Sequence, residues 1–546
     1  MRNTTVIFLT GAATLALEVL ASRILTPYFG ISLYIWAGIL SVTLIALAVG
    51  YRIGGVWARK LKGNDASIGA LFAALPAYAS LLITLSCLIY PFIFVPLGLW
   101  SLIGGAFLAN LILLGGPLVL LSAMNCLLIA LQKTSRSRSD NDGDGGAGRI
   151  FYISTMGSVV GVLVSAFVLV PQLSNFRSTL LISFFLGCLS LYAAKSPTIP
   201  LTKRYAAKWA ILSMLLSGIL FAMADWYLGR DSKYRVNNST IEVVHEQPSF
   251  YGNVQIVKRR TLDRANPATT KDSGKFRRAF VVDGVVQGQM SFPEKVCDVN
   301  YIFALTLLGR NAQPTPNRLL VLGMAAGLLP MLYAGECEID VVDINPHTLD
   351  LATEFFEFNP EIANFIVQDA RTYVRYTSEK YDMVVIDLFQ SGATPEYLVT
   401  SEFFHDIAAC LTPEGIVLFN IIAAAKDEPR SAYMALLRTI DSVFPEWKIY
   451  HRQQQMEFRN MFVVASGASL PQLDLKDEDF SKIPEKFHAS LKTTLAQEVD
   501  IDSRRLALAP VLTDAHNLFP HLGAQDDVNR KREVALENSP PIFLAQ

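Results

Sequence analysis

Residues 318–343 read RLLVLGMAAGLLPMLYAGECEIDVVD, and the architecture of the second half of the chain follows from them. The run Arg318–Leu322 is largely apolar, too short for a helix and stopped by Gly323, so it predicts a strand covered on both faces. Gly323 and Gly327 bound a tight turn, residues 328–335 predict a helix, and Glu338–Val342 predicts the next strand, ending at Asp343. Strand, glycine turn, helix and strand form the opening unit of a doubly wound sheet. Such a sheet places its ligands outside the carboxyl ends of its strands, at the switch point.

Downstream, strands at Phe365–Val367, Met383–Ile386 and Ile416–Ile421 alternate with helices at 346–358, 401–411 and 430–443. Lys448–Tyr450 and Asn460–Ala465 close the series as a hairpin-like pair. Upstream, Thr240–His245, Val254–Arg259 and Ala279–Val282 read as a small β region, with turns at Tyr251-Gly252-Asn253 and Asp283-Gly284 and a helix around 296–309.

This order puts four chemical features just after strands: Gly323–Gly327, Asp343, Asp369 and Asp387. A glycine turn lets backbone approach a nucleoside, an acid ending the second strand accepts both ribose hydroxyls, and an acid after the third takes an adenine amino group. The phosphate-binding spacing GxGxxG is absent, which favours an S-adenosyl-type ligand over a dinucleotide.

The first 226 residues are of another kind. The chain of 546 residues is 51% hydrophobic and 17% charged. Residues 1–226 hold 15 Lys and Arg against 6 Asp and Glu, whereas the rest holds 32 against 42, so a basic apolar half precedes a mildly acidic one. Neither half carries the basic stripe of a nucleic-acid binder. A bilayer core needs about 20 apolar residues as a helix, and runs near 6–25, 35–56, 68–90, 97–131, 150–170, 176–195 and 207–226 supply seven spans, making the lipid bilayer the first partner. Trp36, Trp57, Trp100, Trp209 and Trp226 fall at or near their ends, where amphipathic rings favour the headgroup layer. The fourth run contains Gly115-Gly116-Pro117 and is read either as one kinked span or as two short ones.

Basic residues cluster after spans two, four and six (Arg59 and Lys60, Arg136 and Arg138, Arg204 and Lys208 among them), which makes those loops and the N-terminus cytoplasmic. Seven spans then leave the soluble half outside the cytoplasm, and eight return it inside; the cell membrane is expected, with the side left open. Glu18 and Arg23, within the first span, are read as a substrate or proton pathway, as a structural ion pair, or as an Arg23 reaching the interface. Residues 140–145 imitate the start of a calcium loop, but the twelfth position is Phe151, and a flexible linker is the better reading. The six cysteines lack CxxC or His spacing, so no metal and no disulfide framework is expected.

The stretch Asp387-Leu388-Phe389-Gln390-Ser391, followed by Glu396, Leu398, Thr400, Glu402 and Phe403, resembles the gatekeeping segment of spermidine synthases. Val281-Val282-Asp283-Gly284-Val285-Val286-Gln287 is similar to their LDGxxQ turn, and Val511-Leu512-Thr513-Asp514 resembles the LTDD element of their membrane-fused relatives. The likeness spans about residues 240–520, and the membrane half resembles the same fused branch. It implies a small β domain with a helix over 240–310 and a methyltransferase-like doubly wound α/β domain over 316–520, while composition gives a transmembrane helical domain over 1–226 and a polar, mobile tail over 521–546.

The resemblance also implies chemistry, transfer of the aminopropyl group of decarboxylated S-adenosylmethionine to putrescine. By position, Asp343 holds the ribose and Asp369 the adenine beside Gly323 and Gly327. Asp387 takes a proton from the attacking amine, and Tyr301, Gln287 and Gln390 line the acceptor side. Three positions depart from the pattern: Ala326 stands where an acid holds the donor's amine, Gln390 where a second acid holds the acceptor's charge, and Ile302 where a His follows the tyrosine. A dication is poorly compensated by one acid instead of three.

Three readings therefore stand. One is a membrane-anchored aminopropyltransferase acting on a polyamine or other small amine. Another is a methyltransferase using intact S-adenosylmethionine on a membrane-associated acceptor. The third is a non-catalytic sensor, transporter accessory or partner-binding protein with a vestigial site. A homodimer is kept open in each.

Overall fold

The computed structural model describes residues 2–29, 33–135, 146–195, 200–228, 234–236, 239–261, 275–388, 395–424, 427–451, 458–496 and 498–522. Residues 140–145, Gln390 and residues 523–546 of the tail lie outside them. Two compact units divide the chain: Met1–Tyr234 with Pro248–Asn253 form the first, and Arg235–Gln247 with the residues from Val254 form the second.

Among the described residues of the first unit, seven helices are long and apolar enough to cross a membrane: α1 (Arg2–Phe29), α2 (Ile35–Lys60), α3 (Asp65–Trp100), α4 (Ile103–Gln132), α5 (Ala147–Gln172), α6 (Asn175–Ala194) and α7 (Tyr205–Ala222). Small residues decide the closest pairing. A Cβ at Gly157 or Gly161 of α5 would stand 1.9 Å from the Phe8 carbonyl or 2.0 Å from that of Ala12, so α1 and α5 pack backbone against backbone. Ser183 bridges two helices, its hydroxyl meeting those of Ser80 at 2.8 Å and Thr84 at 2.9 Å. Leu44, Phe167 and Leu215 face outward and are exposed.

Beyond residues 97–100, which finish α3, the fourth apolar run is one continuous helix rather than two. A π turn at Leu111–Gly115 precedes Pro117, whose ring crowds the carbonyl four residues back, and the widened turn takes up that conflict. Glu18 is buried, while the Arg23 guanidinium donates to the carbonyl of Phe250.

The second unit carries two sheets. The smaller is a meander, β1 (Tyr234–Val236), β2 (Ser239–Ser249), β3 (Gly252–Thr261), β4 (Phe276–Val282), β5 (Val285–Phe292) and β6 (Val296–Cys297), with neighbours paired in chain order. Asp283 and Gly284, both at positive φ, make the two-residue turn between β4 and β5. Helix α8 (Asn300–Ala312) leads into the larger sheet. Its strands are β7 (Arg318–Leu322), β8 (Glu338–Asp343), β9 (Asn364–Val367), β10 (Tyr381–Ile386), β11 (Leu411–Ala424), β12 (Glu446–Tyr450) and β13 (Phe458–Ser466), in the order β12-β13-β11-β10-β7-β8-β9. The five from β9 to β11 are parallel, and β13 runs antiparallel to β11 and β12.

Because side chains alternate, Leu319 and Val321 enter one core with Leu305 and Phe356, while Leu320 and Leu322 enter the other with Phe404 and Phe419. Two covered faces are why β7 reads as a continuous apolar run.

Several elements differ from the sequence reading. Strand β5 was not anticipated, because Gln287, Gly288 and Gln289 interrupt its apolar pattern. The helix expected from 296 begins at Asn300, since Val296 and Cys297 pair with Ser291 and Met290. Helix α9 (Leu328–Leu332) ends before the expected 335, where Gly335 takes a positive φ. Three further helices are new: α11 (Ala370–Tyr376), after α10 (Thr348–Phe356); α14 (Glu485–Leu495), after α12 (Ser401–Cys410) and α13 (Ala432–Asp441); and α15 (Ser503–Ala507).

Candidate active site

The turn after β7 forms the floor of the site. Gly323, Ala325 and Gly327 have positive φ, and a Cβ on Gly323 would lie 2.5 Å from the Asp387 carbonyl, so glycine is what lets the ends of β7 and β10 approach. Asp343, last residue of β8, fastens this turn: its Oδ2 accepts from Met324 N at 2.9 Å and its Oδ1 from Asn345 N at 2.8 Å. Thr348 Oγ1 donates to the same Oδ1 at 3.4 Å. Burial pushes the Asp343 carboxyl above its ordinary value, and the backbone hydrogen bonds oppose that rise. A half-buried carboxylate beside a glycine turn has the donor-accepting chemistry that a ribose diol needs.

Asp369 follows β9 and caps α11, taking Thr372 N and Thr372 Oγ1 on Oδ1, both at 2.9 Å. Its Oδ2 accepts from the Tyr397 hydroxyl at 3.0 Å. The neighbouring Gln368 N donates to the Asp343 carbonyl at 3.1 Å, which joins the ends of β8 and β9.

Asp387 follows β10, its N–H bonded to the Leu322 carbonyl at 3.0 Å. Its Oδ1 accepts from Asn420 Nδ2 at 2.8 Å and its Oδ2 from the Tyr301 hydroxyl at 3.1 Å. The same phenol lies 2.9 Å from the Gln287 carbonyl, so β5, α8 and β10 converge on it. Burial, then the adjacent Asp387 charge, hold the Tyr301 phenol well above its ordinary range, so it stays a donor. Asn460 Nδ2 donates to Asn420 Oδ1 at 2.8 Å, which fixes the Asn420 amide with its nitrogen toward Asp387.

Gly323, Asp387, Tyr301 and Gln287 are thus joined through direct contacts, and Asp343 is tied to the same turn through Met324, with Gly327 closing the turn and Asp369 on the adjoining strand end. Gln287 is bonded to Tyr301 through its backbone carbonyl. Gln390 is outside the described residues. Asn420 and Asn460 were missed by the sequence reading, lying inside strands taken only as core; Tyr397 was missed within the gatekeeping stretch.

Residues 304–451 match the family described as the spermine/spermidine synthase domain. A polyamine aminopropyltransferase of Vibrio vulnificus is 27% identical over 260 residues, which cover 46% of this chain and 80% of that one. Over residues 304–451 the chain is spermidine synthase-like. It is also 30% identical over 174 residues to an N-terminal histidine N-methyltransferase of Emericella nidulans, covering 30% of each chain. A solved structure of a probable spermidine synthase from Corynebacterium glutamicum aligns with a TM-score of 0.39 and 16% identity, over 50% of this chain and 96% of that one.

The spermidine synthase-like match contains Gly323, Gly327, Asp343, Asp369, Asp387 and Asn420, whereas Gln287 and Tyr301 precede it. Ala326 is buried, and a Cβ on Gly288 would stand 2.9 Å from its own Cβ, so the glycine turn offers no acid at that point and packs tightly against β5.

Proposed function

We propose that this chain is a membrane-anchored aminopropyltransferase that moves the three-carbon amine arm of decarboxylated S-adenosylmethionine to a polyamine or other small amine. The observation that carries this reading is the Asp387 carboxylate, oriented by Asn420 and Tyr301 on its two oxygens at the carboxyl end of the sheet.

An ammonium has no lone pair with which to attack, so the acceptor must first lose a proton. Asp387 takes that proton; the uncovered nitrogen then bonds to the carbon attached to sulfur, the carbon–sulfur bond breaks, and its electron pair stays on sulfur to give methylthioadenosine. Asp343 and Asp369 hold the nucleoside while the glycine turn closes under it, and Tyr301 keeps the carboxylate from turning. Positioning of this kind supplies much of a bimolecular reaction's barrier lowering.

Seven long apolar helices with apolar side chains turned outward support lipid as the surroundings of the first unit, and hence a place in the cell membrane.

One observation favours a second reading. An acid in the glycine turn would bind the donor's ammonium and repel a carboxylate, and Ala326 does neither. Intact S-adenosylmethionine is then a competing donor, and methyl transfer the competing reaction. Calorimetry with methylthioadenosine and both donors, using wild type and Asp343→Ala in detergent, separates the two. Preference for the decarboxylated donor, lost in Asp343→Ala, supports aminopropyl transfer. Preference for the intact donor moves methyl transfer ahead, and no binding by a folded protein contradicts both.

A further inference from the structure

A cavity of about 450 Å3 lies on the small sheet, and none of the candidate site residues lines it. The strand register builds its wall: Arg259 pairs with Arg277 across β3 and β4, Arg277 with Ser291 across β4 and β5, and Ser291 with Val296 across β5 and β6. Because side chains alternate, Thr261 and Lys275, each two residues away along the chain, share this face. Glu294 and Lys486 complete the charged lining.

Like charges directly opposite one another on antiparallel strands repel. The equivalent pair on the other face, Lys258 and Arg278, is absorbed: Lys258 sits over the Phe276 ring, and Arg278 lies over Phe292 and donates to the Phe355 carbonyl. On the cavity face the compensation is incomplete. Asp298, its side chain 4% exposed, accepts Arg277 Nε at 2.7 Å and also takes Lys486. Lys275 pairs with Glu294 at 2.9 Å. Arg259 is exposed, and its side chain makes no hydrogen bond or ion pair among the described residues. Among the described residues, four cations therefore meet two carboxylates. The Glu294 carboxyl is held below its ordinary value, first by its hydrogen bond from Lys275, with Lys486 adding to the effect.

We infer that this cavity binds a small phosphate-bearing anion, gripped by the guanidinium groups of Arg259 and Arg277. A planar guanidinium matches phosphate through two parallel N–H donors, and two of them side by side with two lysines favour a multiply charged anion. The volume falls within the roughly 300–1,000 Å3 common for small-molecule sites. Such a ligand is opposite in charge to an amine acceptor, so the site is separate from the transfer chemistry and stands whether or not that reading holds.

Titration calorimetry of inorganic pyrophosphate into the full detergent-purified chain tests it, with a short-chain phosphatidic acid in the same detergent as a lipid arm. The expected result is saturable binding that weakens about tenfold or more in Arg259→Ala, disappears in Arg259→Glu and is unchanged in Asp343→Ala. Preference for pyrophosphate assigns the anion to a diffusible metabolite, and preference for the lipid with the same dependence on Arg259 assigns it to a headgroup. No binding of either probe by a folded protein, or binding indifferent to Arg259→Glu, overturns the inference.

Discussion

Asp514 and Arg371, 143 residues apart, meet through two parallel hydrogen bonds of 2.8 and 2.5 Å. Asp514 also accepts from Thr400 Oγ1 at 2.9 Å, while Arg371 donates to the Tyr397 carbonyl at 2.9 Å. Nearby, Ser401 N donates to the Leu512 carbonyl at 2.8 Å and Asn517 to the Glu396 carbonyl at 2.7 Å. Residues 512–517 thus fasten the far end of the segment that begins at Asp387 onto α11, the helix capped by Asp369. The motif Val511–Asp514 is a latch on the site rather than a part of its floor.

Replacing Asp514 by Asn should loosen that latch. Hydrogen bonds from Arg371 hold the Asp514 carboxyl below its ordinary value. Its contribution is therefore present above the unfolded value of about 3.9 and lost as pH falls through the lower folded one. Arg371 is only 11% exposed and would lose its carboxylate, so Asp514→Asn should cost about 1–2 kcal/mol at pH 7. Thermal melts below about pH 4 should be steeper in pH for wild type than for Asp514→Asn.

Asn420 is predicted to be a positioning residue for Asp387. Asn420→Ala removes one of the two groups that orient the carboxylate, and turnover should fall roughly 10- to 100-fold with little change in donor binding. Asn420→Asp places a second carboxylate against the first and should move the acid limb of the pH–rate profile upward. An unchanged profile in Asn420→Asp would show that Asp387 does not carry the proton.

Asp343 has the opposite linkage to Asp514. Its carboxyl is raised by burial, so the stability it contributes is fully present below the unfolded value of about 3.9 and declines as pH rises through the raised folded value. Asp343→Asn should remove that decline from a pH series of melts. Methylthioadenosine binding should also weaken at least about tenfold, because an amide cannot offer two acceptor oxygens to a diol.

If all seven helices cross a membrane, as proposed, the N-terminus and the soluble half lie on opposite faces, and the basic loops predict the N-terminus inside. In a background without native cysteines, a cysteine introduced in 466–480 should react with an impermeant thiol reagent on intact cells. Protection there would mean that one of the seven helices does not cross.

How far the sequence reached depended on where the information lay. The apolar run of β7, the glycines after it and the acids ending β8 and β10 are local signals, and each predicted element appears in place. Strand β5 was hidden because its inward positions include Gly288, chosen by the approach of Ala326 rather than by strand propensity. Asn420 and Asn460 look like polar interruptions of apolar strands until the antiparallel pairing of β11 with β13 brings their side chains to one point. The partnership of Arg371 with Asp514 depends on a chain return over 143 residues, which no local pattern records.

The central claim is that Asp387 serves as the base for aminopropyl transfer, and a product assay tests it most directly. Purified chain in detergent is incubated with decarboxylated S-adenosylmethionine and putrescine, and methylthioadenosine and the alkylated amine are measured by mass spectrometry. Wild type should form both in equal amounts, and Asp387→Asn should form them at least about 100-fold more slowly while binding methylthioadenosine as wild type does. Absence of the alkylated amine with wild type, or equal rates in wild type and Asp387→Asn, would contradict the account.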